Sequence, residues 1–187
     1  MTTTMMIVLA IAAIVVAGAL AWYFQRQQSQ RLKARFGPEY DRMRDEVGDV
    51  RRAEAALAAR ENRVHKLHIR ALSEPEKARF AEVWRHIQTL FVDEPNGAVR
   101  EADHLVNEVM TAKGYPIADF KQRSADVSVD HPIVMEHYRA ARSIAERNEA
   151  GSASTEDLRQ AVVHYRALFE DLLEQKESES KPVHTRR

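Results

Sequence analysis

The chain has 187 residues, with 28 basic and 28 acidic side chains, no cysteine and a formal net charge of zero. The balance argues against a nucleic-acid binder, which needs a basic surplus or stripe. Without cysteine there are no disulfides, no thiolate catalysis and no Cys-type zinc site.

The first element is the run Met5–Phe24, 20 residues without a charge. As a helix it would cover about 30 Å, the hydrocarbon thickness of a bilayer. It ends in Trp22, Tyr23 and Phe24, residues that favour a membrane interface. Arg26, Arg31, Lys33 and Arg35 follow with no acidic residue among them, while residues 1–4 carry no cation. The positive-inside rule then expects residues 1–4 outside, a transmembrane helix over 5–24, and a basic juxtamembrane stalk over 25–37. The C-terminal part is expected at the cytoplasmic face of the membrane, with the lipid bilayer as first partner. The small pair Ala19 and Ala21 keeps an alternative open: a cleaved signal peptide and a secreted or periplasmic protein.

Gly37-Pro38 interrupts the stalk, and Glu39 and Asp41 suit the positive end of a new helix. Met43, Val50, Leu57 and Val64 recur every seven residues, with Tyr40 and Val47 between them, so 38–72 is expected as one amphipathic linker helix. Residues 73–177 are expected as a helical bundle domain. Ser73 and Glu76 form a capping box around Pro75, ahead of a stripe of Phe80, Val83, Trp84, Ile87, Leu90 and Phe91. A second stripe (Val99, Ala102, Leu105, Val106, Val109, Met110) ends at Lys113-Gly114. A short helix through Ile117 and Phe120, a helix opened by Asp130-His131-Pro132, and a last helix with Leu158, Val162, Tyr165, Phe169, Leu172 and Leu173 on one face complete the domain. Residues 178–187 read as a disordered tail. No segment alternates with period two. The predicted fold is all-α: a transmembrane helix and polar stalk, then an antiparallel helical bundle.

Motifs for chemistry are scarce. Glu101-x-x-His104 has dimetal spacing but no second copy, and reads as a solvated helix face. Glu61, His65 and His68 could share a face, but Arg60, Arg63 and Lys66 crowd it, so no metal is expected. No nucleophile elbow or phosphate-binding glycine loop occurs. The expectation is a non-enzymatic module with no cofactor, which recruits or scaffolds a protein partner or self-associates. The alternative is a small-ligand or metal-binding bundle. His137-Tyr138-Arg139-Ala140 recurs as His164-Tyr165-Arg166-Ala167, too short an echo to mark a repeat array. A partner surface, if present, is expected on the connector 114–132, at Tyr115, Asp119, Asp130 and His131. In the competing reading Asp130 caps the helix entered through Pro132.

Several segments in order resemble an uncharacterised family of short bacterial proteins with one N-terminal membrane helix, usually labelled hypothetical or secreted. They are Arg35-Phe36-Gly37-Pro38-Glu39-Tyr40-Asp41-Arg42, Phe91-Val92-Asp93 with Pro95, and Gly114-Tyr115-Pro116 with Asp119-Phe120. Ser128-Val129-Asp130-His131-Pro132 with Tyr138-Arg139, and Ser154-Thr155-Glu156-Asp157-Leu158-Arg159, complete the series. The resemblance implies a bacterial origin and this layout. It carries over no activity, cofactor or catalytic residue.

Overall fold

The computed structural model describes residues 2–174, without the side chains of residues 2–4, 6, 7, 10 and 11. The tail expected over 178–187 lies outside the described residues. Among those described, every regular element is helical, as the sequence predicts. The helices are α1 (Thr2–Phe36), α2 (Pro38–Val47), α3 (Val50–Val64), α4 (Glu74–Asp93), α5 (Pro95–Lys113), α6 (Phe120–Val127), α7 (Met135–Glu149) and α8 (Thr155–Glu174). A 3-10 turn, Pro132–Val134, leads into α7. The chain divides into two compact units, residues 1–58 and 59–187.

In the first unit α1 runs unbroken from the apolar stretch through the polar stalk. It stops where Gly37 takes a positive φ of 48° and Pro38 opens α2. The linker helix expected over 38–72 is two helices with an irregular stretch after Val64. Gly48 adopts the left-handed conformation and ends α2 with its N–H on the Arg44 carbonyl, and Asp49 then accepts from Arg52 N at 2.8 Å and starts α3. The heptad seam fails at this break: Val47 and Val50 are exposed, whereas Tyr40, Met43 and Leu57 are buried. Leu32, Phe36 and Ala53 are buried too. Tyr40 donates to the Glu54 carboxylate at 2.7 Å, and burial pushes its phenol up.

The second unit is a helical bundle in which α5 packs against α4, α7 and α8, and α7 against α8. Only Glu94 separates α4 from α5, so the two form a tight hairpin. At the start of α4 the Glu76 carboxylate accepts from Ser73 N and Ser73 Oγ, and Arg70 grips it with two nitrogens. The Arg70 guanidinium therefore holds Glu76 well below the usual carboxylate range. Every residue of the α5 stripe is buried, from Val99 to Met110. Trp84 stacks on Phe169 with ring centroids 5.0 Å apart, while Val83, expected on the same stripe, is 37% exposed. Gly114 ends α5 with φ 103°, and a Cβ there would come within 2.3 Å of the His68 carbonyl. The chain before α4 lies that close because Arg70 N donates to Lys113 O at 2.9 Å.

Candidate functional site

The connector after Gly114 builds a polar cluster rather than an open surface. Tyr115 and His131 are both buried, at 2% and 3% exposure, and their rings meet edge to face at 6.4 Å. Tyr115 donates to Asp130 Oδ2 at 2.8 Å, and burial, reinforced by that carboxylate, drives its phenol well above the ordinary range. His131 Nδ1 meets the Asp171 carboxylate of α8, and its Nε2 is buried with no partner. Lys113, buried at the end of α5, donates to the Leu172 carbonyl at 2.9 Å. A cation thus sits on the negative end of α8. Burial pushes the Lys113 ammonium down, and Asp130 and Asp171 pull it back up.

One expectation is corrected here. Asp130 caps no helix: the 3-10 turn has His131 at its N-cap without a side-chain bond, and Asp130 serves Tyr115 instead. Asp119 is the exposed N-cap of α6, accepting from Gln122 N at 2.9 Å. The predicted partner residues Tyr115 and His131 are therefore interior groups that cannot touch a partner directly. On the outside of the connector lie Asp119, Ile117 at 84% and Ile133 at 78% exposure. The helix expected through Ile117 begins only at Phe120, because Asp119 is the residue that caps it.

A second polar centre has no counterpart among the predicted sites. Asp103 on α5 accepts from Tyr165 Oη at 2.7 Å, Asn107 Nδ2 at 3.2 Å and Arg142 Nη1 at 3.3 Å. Arg123 of α6 reaches Asn107 Oδ1 and donates to Ala118 O at 2.7 Å. Asp103, Asn107, Phe120, Arg123, Tyr138 and Arg142 line a cavity of about 180 Å³. Both tyrosines of the repeated tetrapeptide belong here. Burial pushes the Tyr138 and Tyr165 phenols up. The two histidines of the repeat also meet, with His137 Nδ1 and His164 Nδ1 2.8 Å apart. Burial, then the neighbouring His137, pushes His164 down, with Glu136 opposing. The sequence echo is a facing pair on α7 and α8.

The histidine–carboxylate motifs are peripheral. His104 Nε2 contacts Glu108 at 3.2 Å on an exposed face. His65 Nε2 is 3.7 Å from the buried Glu61, but His68 falls beyond the end of α3. Among the described residues no group of three or more His, Asp or Glu side chains is placed to hold a metal ion.

The four predicted orientation cations lie on α1. Arg26 sits over the Trp22 ring at 5.3 Å, and Lys33, seven residues on, over Tyr40 at 5.2 Å. Helical spacing puts those two on one side and Arg31 and Arg35 on the other. Among the described residues no helix is long and apolar enough to cross a membrane; the side chains of Met6, Ile7, Ala10 and Ile11, part of the apolar run, lie outside them. Compared with known proteins, the chain matches no family model, no curated protein and no solved structure.

Proposed function

We propose that the protein is a membrane-anchored helical module that binds or scaffolds a protein at the cytoplasmic face of a bacterial inner membrane, without catalysis. One observation carries this reading. On α1 the side chains of Val8, Leu9, Ile14, Val15, Val16 and Leu20 are all more than half exposed, and at about 100° per residue they cover every side of the helix. A helix apolar all round needs an apolar surrounding. Four cations beyond the aromatic residues support a cytoplasmic orientation. Tethering raises effective concentration without an active site, and the outer side of the connector offers Ile117, Asp119 and Ile133 to a partner. The likeness to short bacterial single-pass proteins agrees with this layout.

The test is flotation of the full chain with neutral lipid vesicles, together with a reporter active only outside the cytoplasm, fused after Leu173. Flotation with a silent reporter is the expected result. A mature protein beginning near Trp22, or an active reporter, would favour the secreted or periplasmic alternative.

A second reading, a small-ligand bundle, is favoured by the Arg123–Arg142 cavity, whose two guanidiniums suit a carboxylate-bearing compound. Thermal unfolding with a panel of small carboxylic acids tests it. A concentration-dependent rise in Tm that Arg123→Ala abolishes would establish this reading over simple scaffolding.

A further inference from the structure

The hairpin of the first unit encloses a groove of about 520 Å³. One wall is the α1 face carrying Trp22, Arg26, Ser29 and Lys33, and the other is the start of α3 with Arg51 and Glu54. Its charge is unbalanced. Glu54, the one acid on the walls, is buried and bound to the Tyr40 hydroxyl at 2.7 Å. Arg26 and Lys33 rest on aromatic rings, and they and Arg51 have no carboxylate partner among the described residues. The first turn of α3 has no acidic residue. Three cations from two helices therefore converge on one concave space beside Trp22.

We propose that this groove binds the phosphate of an anionic phospholipid headgroup. The inference rests on the anchor reading, which puts Trp22 at the interface and the groove at headgroup depth. The guanidiniums of Arg26 and Arg51 present paired N–H donors that match phosphate oxygens, and Lys33 adds a point charge. Ser29 Oγ, 3.4 Å from Tyr40 Oη, is a neutral hydrogen-bonding group on the same face and suits a glycerol hydroxyl. The indole of Trp22 covers the boundary between headgroup and acyl chain. Arg51 is the distinctive member. It lies well after the anchor in sequence, and the turns at Gly37 and Gly48 bring it back beside the stalk.

The full-length chain is reconstituted into nanodiscs of phosphatidylcholine with a minority of phosphatidylglycerol, extracted in mild detergent, and its retained lipid counted by native mass spectrometry. Phosphatidylglycerol should be retained over phosphatidylcholine, and the preference should fall with added salt. Arg51→Ala should lower it about fivefold, the weight of one cation near an anionic surface. Arg52→Ala, an exposed cation next door but off the groove walls, should leave it unchanged. Equal retention of the two lipids, or equal behaviour of the two variants, overturns the proposal. Inorganic phosphate and glycerol 3-phosphate are added at millimolar concentration as competitors. If either displaces the lipid, the groove serves a soluble phosphate compound and the lipid assignment is overturned. Failure to float with neutral vesicles overturns the anchor itself. A chain that floats without preferring phosphatidylglycerol overturns the groove alone.

Discussion

Two tryptophans show how differently the two units use the same chemistry. Trp22 is 61% exposed on a helix whose apolar side chains face every direction, whereas Trp84 is 6% exposed and stacked on Phe169. In the bundle, apolar residues recur at three and four positions and close on other helices. Over Met5–Phe24 they are continuous, and the large ones described are all more than half exposed. Periodicity, rather than hydrophobicity, decides which apolar residues form a protein core and which need another solvent.

The contrast can be broken most forcefully at Trp84. Trp84→Ala should cost about 3–5 kcal/mol, read by chemical denaturation followed by circular dichroism. A loss under about 1 kcal/mol would mean that the α4 stripe contributes little to the core. Next in size is Lys113→Met, which removes the buried ammonium from the Leu172 carbonyl and from Asp130 and Asp171. It should cost about 2 kcal/mol, the weight of a hydrogen bond from a charged donor. Tyr115→Phe keeps the ring and loses only the hydroxyl on Asp130, so about 1 kcal/mol is expected. If this connector were mere surface, neither change would register.

A gentler probe is pH. The His164 imidazole lies below its ordinary value of 6.5, so the unfolded chain takes up a proton before the folded one does. Stability should be full above pH about 6.5 and should decline as pH falls from there through the folded pKa. His164→Gln should flatten that part of the profile; an unchanged slope would remove His164 from the account. The smallest effect belongs to the other tryptophan. Trp22→Ala should change the stability of the detergent-solubilised bundle by less than about 0.5 kcal/mol, while weakening lipid retention.

Local signals were legible wherever the chain acts on its immediate neighbours. Ser73 and Glu76 marked the start of α4, Gly114 marked the end of α5, and the α5 stripe was readable residue by residue. The α2–α3 break was hidden because the seven-residue pattern runs straight through Gly48, whose backbone freedom outweighs two valines that find no partner. Asp103 was hidden for another reason. Its partners Arg142 and Tyr165 lie 39 and 62 residues away in sequence, and no local spacing announces such a hub. His131 shows the same limit: the carboxylate that holds it, Asp171, comes from α8, across 40 residues. A histidine beside an aspartate and a proline reads as exposed connector until the fold encloses it. The tetrapeptide echo was visible as a pattern, but its meaning is the meeting of α7 and α8.

The unbroken α1 has a mechanical consequence. The residues from Phe24 to Phe36 remain helical, so they rise about 18 Å. A flexible linker of equal length would reach a similar mean distance in any direction, and would act as a leash. A helix acts as a strut. With Met5–Phe24 fixed in a bilayer as proposed, the turn at Gly37 would be held at one standoff height, while the start of α3 returns to the groove beside Arg26. Only that turn would stand clear of the surface, so a partner would meet it at a fixed height.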